Sequence, residues 1–393
     1  MKTLSRWMLA LALVLSSALL QSNADPVNAR AVSVDNSISL LPNSDVVVVL
    51  DVNRLMNDLL PKAKQAWPEQ MAQFEKGMAE FVSEAAQDGV DIYKVKSLAI
   101  GLKMFGDKVT GAMIIDGLTV TPEMIAREKK DSKVVEYKGK TLYVELPKPE
   151  AKPTTKTPAK RAGAKTSTAR TKSVARSKTK SAKTSTAAPG GLPVGEVSGL
   201  ANNLGTGFLK DKTAMVQLDE GRMALGDELE VKAIIDALTG SPTAAGNISS
   251  ELSSALQETR TNGVLRFAVN IPDSARQAAL REEFLKNLAV TRMVLGTLDI
   301  SDDMSLSLDA KLRTGSADDA TKLHESLAAL LGLGKMMLGG NQDPTMVMLN
   351  KLLDQIRISP QTNDVTLALT IPRELYETFI KTALPNTPAK SNK

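Results

Sequence analysis

The sequence predicts an α+β protein built on antiparallel sheets. A β-branched run at residues 45–52 (DVVVVLDV) opens the first half, a strict two-residue alternation at 304–312 marks the second, and apolar stripes at helical spacing lie between strands in both. Strands and helices therefore follow one another in the same order twice, which predicts an internal duplication of a ferredoxin-like βαββαβ unit, each copy extended by a hairpin and a helix.

Taken in order, Pro42 and Asn43 supply a turn before the first strand. Trp67, Met71, Phe74, Met78, Phe81 and Ala85 then recur at three- and four-residue steps, which lines one face of a core-facing helix starting near Pro68. Residues 97–103 and 109–116 read as two strands turned at Gly106 and Asp107. Thr121 caps the next helix, and residues 133–146 read as a half-buried strand with Leu142, Val144 and Leu146 on its dry side. Residues 213–218 and 222–225 are strand-like, and a helix starts at Asp227 with Glu230.

The second half begins with a strand at 263–270 and a helix at 272–288 carrying Leu280, Phe284 and Leu288. A strand pair follows at 292–300 and 304–312. Met304, Leu306, Leu308, Ala310 and Leu312 alternate there with Ser305, Ser307, Asp309 and Lys311, so one face must be wet or covered by polar groups. Ser316 with Asp319 makes a capping box for a helix with the stripe Ala320, Leu323, Leu327 and Leu330. A hairpin at 356–358 and 364–371 and a helix started by Pro372 close the chain. One continuous sheet built from both halves has the same element order as two separate units.

The 393 residues carry a formal charge of +5 that is unevenly spread. Residues 1–24 hold Lys2 and Arg6 and no acid, and residues 147–191 hold twelve Lys or Arg against Glu150 alone; removing those +2 and +11 leaves the remainder with eight net negative charges. Residues 1–24 set these cations before an apolar run from Trp7 to Leu20, then Ser22 and Ala24, the pattern of a secretory signal peptide cleaved after Ala24. The run is too short to span a bilayer, and no later stretch is long enough. The expected location is periplasmic or extracellular.

The expected organisation is a signal peptide at 1–24, a flexible mature N-terminus at 25–40, a first α+β unit at 41–240, a second at 241–385 and a disordered tail at 386–393. A disordered basic insertion at 147–200 interrupts the first unit. Its Lys, Arg, Thr, Ser, Ala and Pro cannot bury enough apolar surface to offset the entropy of ordering. With strand-like residues on both sides, it reads as an overgrown hairpin loop. Its cations are Lys148, Lys152, Lys156, Lys160, Arg161, Lys165, Arg170, Lys172, Arg176, Lys178, Lys180 and Lys183, candidates for a tether to an anionic envelope polymer or membrane surface. Nucleic acid is disfavoured, because export removes the chain from the chromosome and no aromatic residue is present to stack bases.

The absence of cysteine excludes disulfides, thiolate metal sites, thiol catalysis and a lipidated cysteine, and His324 alone cannot build a site needing two histidines. Gly332, Gly334 and Lys335 fail the phosphate-loop pattern, since Met336 stands where Ser or Thr must hold Mg²⁺. Met336, Met337, Met346 and Met348 form a thioether-rich stretch that packing explains better than Cu(I). Asp227, Glu228 and Glu230 are explained by a helix start. No cofactor motif and no catalytic residue is singled out.

Residues 41–63 (LPNSDVVVVLDVNRLMNDLLPKA) and 213–238 (TAMVQLDEGRMALGDELEVKAIIDAL) resemble a loose group of uncharacterised exported bacterial proteins that open with a Leu-Pro strand-helix unit and carry a strand-Gly-helix unit; Gly226 matches that glycine. The resemblance implies an exported α+β protein and carries over no catalytic residue. The function expected is that of a non-enzymatic exported protein that binds or organises an envelope partner, the basic loop serving as tether. The alternative is a carboxylate-dependent hydrolase of the cell envelope.

Overall fold

The computed structural model describes residues 36–68, 91–105, 108–119, 132–146, 213–240, 247–281, 285–301, 303–340 and 342–375, with scattered positions between 71 and 86 and between 121 and 125, and residue 377. The predicted leader, basic insertion and terminal tail lie outside the described residues. The fold is α+β. Its strands are β1 (Val46–Asp51), β2 (Ser97–Phe105), β3 (Lys108–Asp116), β4 (Ser132–Tyr137), β5 (Lys140–Glu145), β6 (Thr213–Asp219), β7 (Arg222–Asp227), β8 (Leu265–Asn270), β9 (Met293–Ile300), β10 (Leu306–Arg313), β11 (Ile356–Gln361) and β12 (Asp364–Ile371). They form one 12-stranded sheet in the order β11-β12-β10-β9-β8-β1-β2-β3-β7-β6-β5-β4.

The run VVVVLD sits in the middle of that sheet because it has no polar face to leave wet. Val48 of β1 lies opposite Ile100 of β2 on one side and Phe267 of β8 on the other, so the two halves of the chain meet along an antiparallel β1–β8 ladder. The neighbours are antiparallel throughout, as they are in a ferredoxin-like unit, but such a unit sets its first strand between its third and fourth, whereas β1 lies between β2 and β8. That predicted unit is therefore corrected. Outward from the ladder the halves share a pairing order, β1-β2-β3-β7-β6 against β8-β9-β10-β12-β11, with the β4–β5 hairpin added to the first. Duplication is not established by that order.

Alternation along the central strands feeds two cores. One face carries Leu50, Leu98, Met113, Met223 and Leu225 and is covered by a π-helical turn (Arg54–Leu59), which brings Leu55, Met56 and Leu59, and which runs into α1 (Leu60–Ala66). The other carries Val47, Val49, Ala112, Ile114 and Leu142, under α2 (Glu228–Leu238) and α3 (Ser250–Gln257). Each buried aliphatic side chain contributes roughly 1.5–3 kcal/mol relative to exposure. Gly226 belongs to this second packing: a Cβ there would lie 2.4 Å from the Gly111 carbonyl oxygen and 2.5 Å from Ala112 Cα.

Several expectations change. Residues 36–40, expected to belong to a flexible N-terminus, bury Ser37, Ile38 and Leu40, and residues 36–38 are helical. Residues 133–146 are two strands, reversed at Lys138 and Gly139, whose φ of +48° and +73° suit a tight hairpin turn. Leu142 and Tyr143 are both buried in β5, because packed layers cover both faces there, while Leu146, predicted inside, is 52% exposed beyond the strand. The predicted helix at 272–288 stops early, as α4 (Asp273–Ala279), and Leu280 is 54% exposed, since the chain turns before a short 3₁₀ segment at Lys286–Leu288. Asp227 precedes α2 without capping it through its side chain; its Oδ2 instead accepts the Gly111 N–H at 2.8 Å. The Ser316 cap holds as read, accepting from Asp319 N at 3.2 Å, and Thr121 accepts from Met124 N at 3.3 Å.

The helix begun at Ser316 is α5 (Ala317–Leu338), which doubles back after Gly339 and Gly340 into α6 (Pro344–Asp354). Ala320 and Leu323 of α5 are buried against Val365 of β12, with Leu312 and Ile358 beside them. The α5–α6 hairpin thus covers the apolar face of the sheet's β10-β12-β11 end.

Candidate functional site

The opposite face of that end stays open. Strand register places Asp309, Lys311 and Arg313 of β10 beside Ala368, Thr366 and Asp364 of β12, and these beside Arg357, Ser359 and Gln361 of β11. Arg357, Ser359, Gln361 and Thr370 are exposed. α2 and α3 lie over the central strands on this face and stop short of the wing, where the last turn of α3 contributes Glu258. Arg313 donates to Glu258 Oε2 at 2.7 Å and to Asp364 Oδ1 at 3.1 Å, Lys311 Nζ is 3.6 Å from Glu258 Oε2, and Arg260 pairs with Asp309. The Arg313 hydrogen bond, with the neighbouring cations, holds the Glu258 carboxyl below its ordinary range. Asp364 and Glu258 together hold the Arg313 guanidinium above its own. The wing is a polar surface on which Arg313, Glu258 and Asp364 form one charge network.

A cleft of about 490 Å³ lies beside α6 and is chiefly apolar, with Pro344, Val347 and Met348 on one wall and Pro372 and Leu375 on the other. Its rim holds Lys351, Asp354 and Glu374. Asp354 is paired with Lys335 of α5 at 2.9 Å. Among the described residues the carboxyl pushed above its ordinary range is Asp299, elsewhere in the fold, where burial outweighs the attraction of Arg54.

The twelve predicted tether cations, from Lys148 to Lys183, lie outside the described residues. His324 is half-buried on α5, and no group of three His, Asp or Glu side chains placed to hold a metal occurs among the described residues. The methionine stretch is divided: Met336 and Met337 are 72% and 64% exposed, while Met348 is buried in the cleft wall. Lys335 and its neighbouring glycines are helical in α5, not a phosphate-binding loop. Of the acids at the head of α2, Glu228 pairs with Lys232 at 2.6 Å and Glu230 accepts from Thr110 Oγ1 at 3.2 Å, both serving packing.

Contacts between distant residues escaped the sequence. Trp67 Nε1 donates to Glu377 Oε1 at 2.7 Å beneath the Arg373 guanidinium, which sits 5.2 Å from the ring centre. Ser37 and Ser97 hydroxyls both donate to the buried Asp116 Oδ2 at 2.9 Å. Tyr137 donates to Asp236 Oδ1 at 2.9 Å, and that hydrogen bond to a carboxylate, with burial, pushes the phenol up. None of these pairs has a local spacing that could have announced it.

No protein-family model matches the chain, and no curated protein does. Among solved structures it is similar to TP0453 in crystal form III, at TM-score 0.40 and 8% identity over 88% of this chain and 98% of that one, and to TP0453 in crystal form I, at TM-score 0.37 and 8% identity over 88% and 96%. Likeness at that level assigns no role to any residue.

Proposed function

We propose that this protein is an exported, non-enzymatic binding or organising protein of the cell envelope, held to an anionic polymer or surface by its basic segment. The observation that supports the reading is the pairing of β5 with β6, Val144 opposite Ala214 and Leu142 opposite Val216. The chain between them, residues 146–212, leaves and re-enters the sheet at the same end of two adjacent strands. The twelve cations between 147 and 191 are thus attached to the fold at one point, while the rest of the chain beyond the leader is net acidic. Such a polycation binds anionic surfaces by releasing their counterions, which makes binding fall steeply with salt. The open polar wing of β10, β12 and β11 provides a second surface for a partner, one of mixed charge.

The test compares the mature chain with one in which 150–188 is replaced by a short Gly-Ser link, on vesicles containing phosphatidylglycerol and on neutral vesicles, across a salt series. Binding to the anionic vesicles that vanishes with the deletion supports the tether. Binding that survives deletion and ignores salt moves the contact to the folded body and refutes it.

A further inference from the structure

Packing divides α5 in two. Its first half lies on the sheet, with Ala320 and Leu323 buried and Leu327 beside them. Its second half leaves that core: a Cβ at Gly334 would lie 3.1 Å from Leu353 Cδ1 of α6, Lys335 pairs with Asp354, and no residue of the helix after Leu323 is buried. The outward stripe changes at the same place. Asp318, Thr321, Lys322 and Glu325 lie exposed along the first half, whereas the same three- and four-residue steps expose Ala328, Ala329, Gly332, Leu333, Met336 and Met337 along the second. Leu333 is 46%, Met336 72% and Met337 64% exposed. A helix that serves only the core of its own domain turns such side chains inward.

Two features decide what this stripe meets. Its side chains offer no hydrogen-bond donor or acceptor, whereas protein interfaces carry roughly one hydrogen bond per 100–200 Å². Hydrocarbon requires none, and the flexible thioethers of Met336 and Met337 adapt to a fluid surface. The second feature is charge. No acid occurs between Glu325 and Asp343, and exposed lysines border the stripe. Lys322 stands on α5 itself, and Asn287, whose Nδ2 donates to Ser326 Oγ at 2.8 Å, brings the adjoining Lys286 alongside. Neither lysine has an ion pair among the described residues, and Glu325 is the acid beside them. Asp318 and Asp319 sit in the first turn, at the far end, where they suit the helix dipole.

We infer that the second half of α5 docks on an anionic lipid bilayer, with Leu333, Met336 and Met337 among the upper acyl-chain atoms and Lys286 and Lys322 against the headgroups. Residues 328–338 extend ~16 Å at helical rise, about half of a ~30 Å hydrocarbon core, so this half lies in the surface layer. No helix among the described residues is long and apolar enough to cross. Anionic headgroups draw the lysines in until salt screens them, and the apolar contact then resists salt. The contact is separate from the basic segment and holds whether or not that segment is a tether.

The chain has no cysteine, which makes the test direct. Full mature chains carrying Met337→Cys or Ser359→Cys are labelled with the polarity-sensitive fluorophore NBD. Ser359 is exposed, and Ile358 next to it packs toward α5, so the 359 label reports on the other side of the sheet. On vesicles of phosphatidylcholine with phosphatidylglycerol, emission at 337 should rise several-fold and be quenched by lipids brominated on the acyl chain, while emission at 359 stays as in water. Adding Leu333→Asp, at an exposed position where the fold tolerates it, should abolish the rise at 337 with the circular dichroism spectrum unchanged. A bound chain whose 337 label stays in water, as adsorption through the basic segment alone would give, overturns the inference and leaves the tether standing. A chain that does not bind overturns it too, as does an unchanged rise in the Leu333→Asp chain. So does a rise that appears without vesicles and grows with protein concentration, which would put a second copy on the stripe.

Discussion

Arg54 Nη1 lies 2.8 Å from Asp299 Oδ1, joining the turn after β1 to the end of β9, in opposite halves of the chain. Both side chains are about nine-tenths buried, and Arg54 Nη2 also reaches the Ile300 carbonyl at 3.3 Å. The Nη1 approach is a charge contact that falls short of hydrogen-bond geometry, so the pair is held by electrostatics and by the backbone acceptor. With the β1–β8 ladder and the Trp67–Glu377 contact, it makes the halves parts of one cooperative unit.

Arg54→Met should cost about 3–5 kcal/mol, because it strands a buried carboxylate, and adding Asp299→Leu should recover much of the loss. Burial raises the Asp299 carboxyl in the folded state above its unfolded value of about 3.9, so protonation favours the fold as pH falls through the raised value. The Arg54→Met penalty should accordingly be larger at pH 8 than at pH 5. Urea titrations at both values measure it; a pH-independent penalty would mean that Asp299 is not the stranded group.

Val365→Asp should unfold or severely weaken the β12 end, since Val365 is wholly buried against Ala320 and Leu323. Thr366→Asp should be mild, because Thr366 faces Lys311 across the strand. Ser307→Asp, on the polar face by alternation, should nonetheless cost more than Thr366→Asp: register sets Ser307 opposite Asp299. Melting midpoints in that order support the register; equal losses at 307 and 366 contradict it.

Two glycines should respond with opposite signs. Gly226→Ala forces a methyl within 2.4 Å of the Gly111 carbonyl, for a loss of about 1–3 kcal/mol or more. Gly332→Ala on exposed α5 meets nothing within 4 Å and should gain about 0.5–1 kcal/mol. Denaturant midpoints decide both.

Replacing 150–188 by a short link should leave the melting midpoint nearly unchanged, because β5 and β6 already pair and a shorter loop closes at lower entropic cost. A collapse of the melting transition would show that the insertion stabilises the fold. In the same preparation, mass spectrometry of exported chain should find Asp25 as the first residue.

Much of the fold was legible wherever one residue's neighbours lie close in sequence. The strand at 46–51, the hairpins at 213–227 and 356–371 and the Ser316 cap depend on local preference and stand where the sequence placed them, whereas the turn at Lys138 and Gly139 was not read. The candidate site was legible only by halves. Alternation in 304–312 announced a polar face, but not that Glu258 and Asp364 would meet Arg313 there. The cleft was not legible at all, since its walls come from α6 and from the turn after β12.

By itself the sequence determined the α+β class, the central strand at 46–51 and the alternation of β10 and β12, the charge split between the bulk of the chain and the 147–191 segment, and the exclusion of cysteine chemistry. Only the tertiary structure decided that the halves share one antiparallel sheet through β1 and β8, that Tyr143 is inside, and that Asp227 serves Gly111 rather than its own helix. The physical reason is the range of the forces involved. Side-chain period and capping act over a few residues, whereas strand partnership is settled by which edges can bury the most apolar surface together. Every β-branched strand offers the same hydrogen-bonding edge, so its partner is chosen by the packed whole.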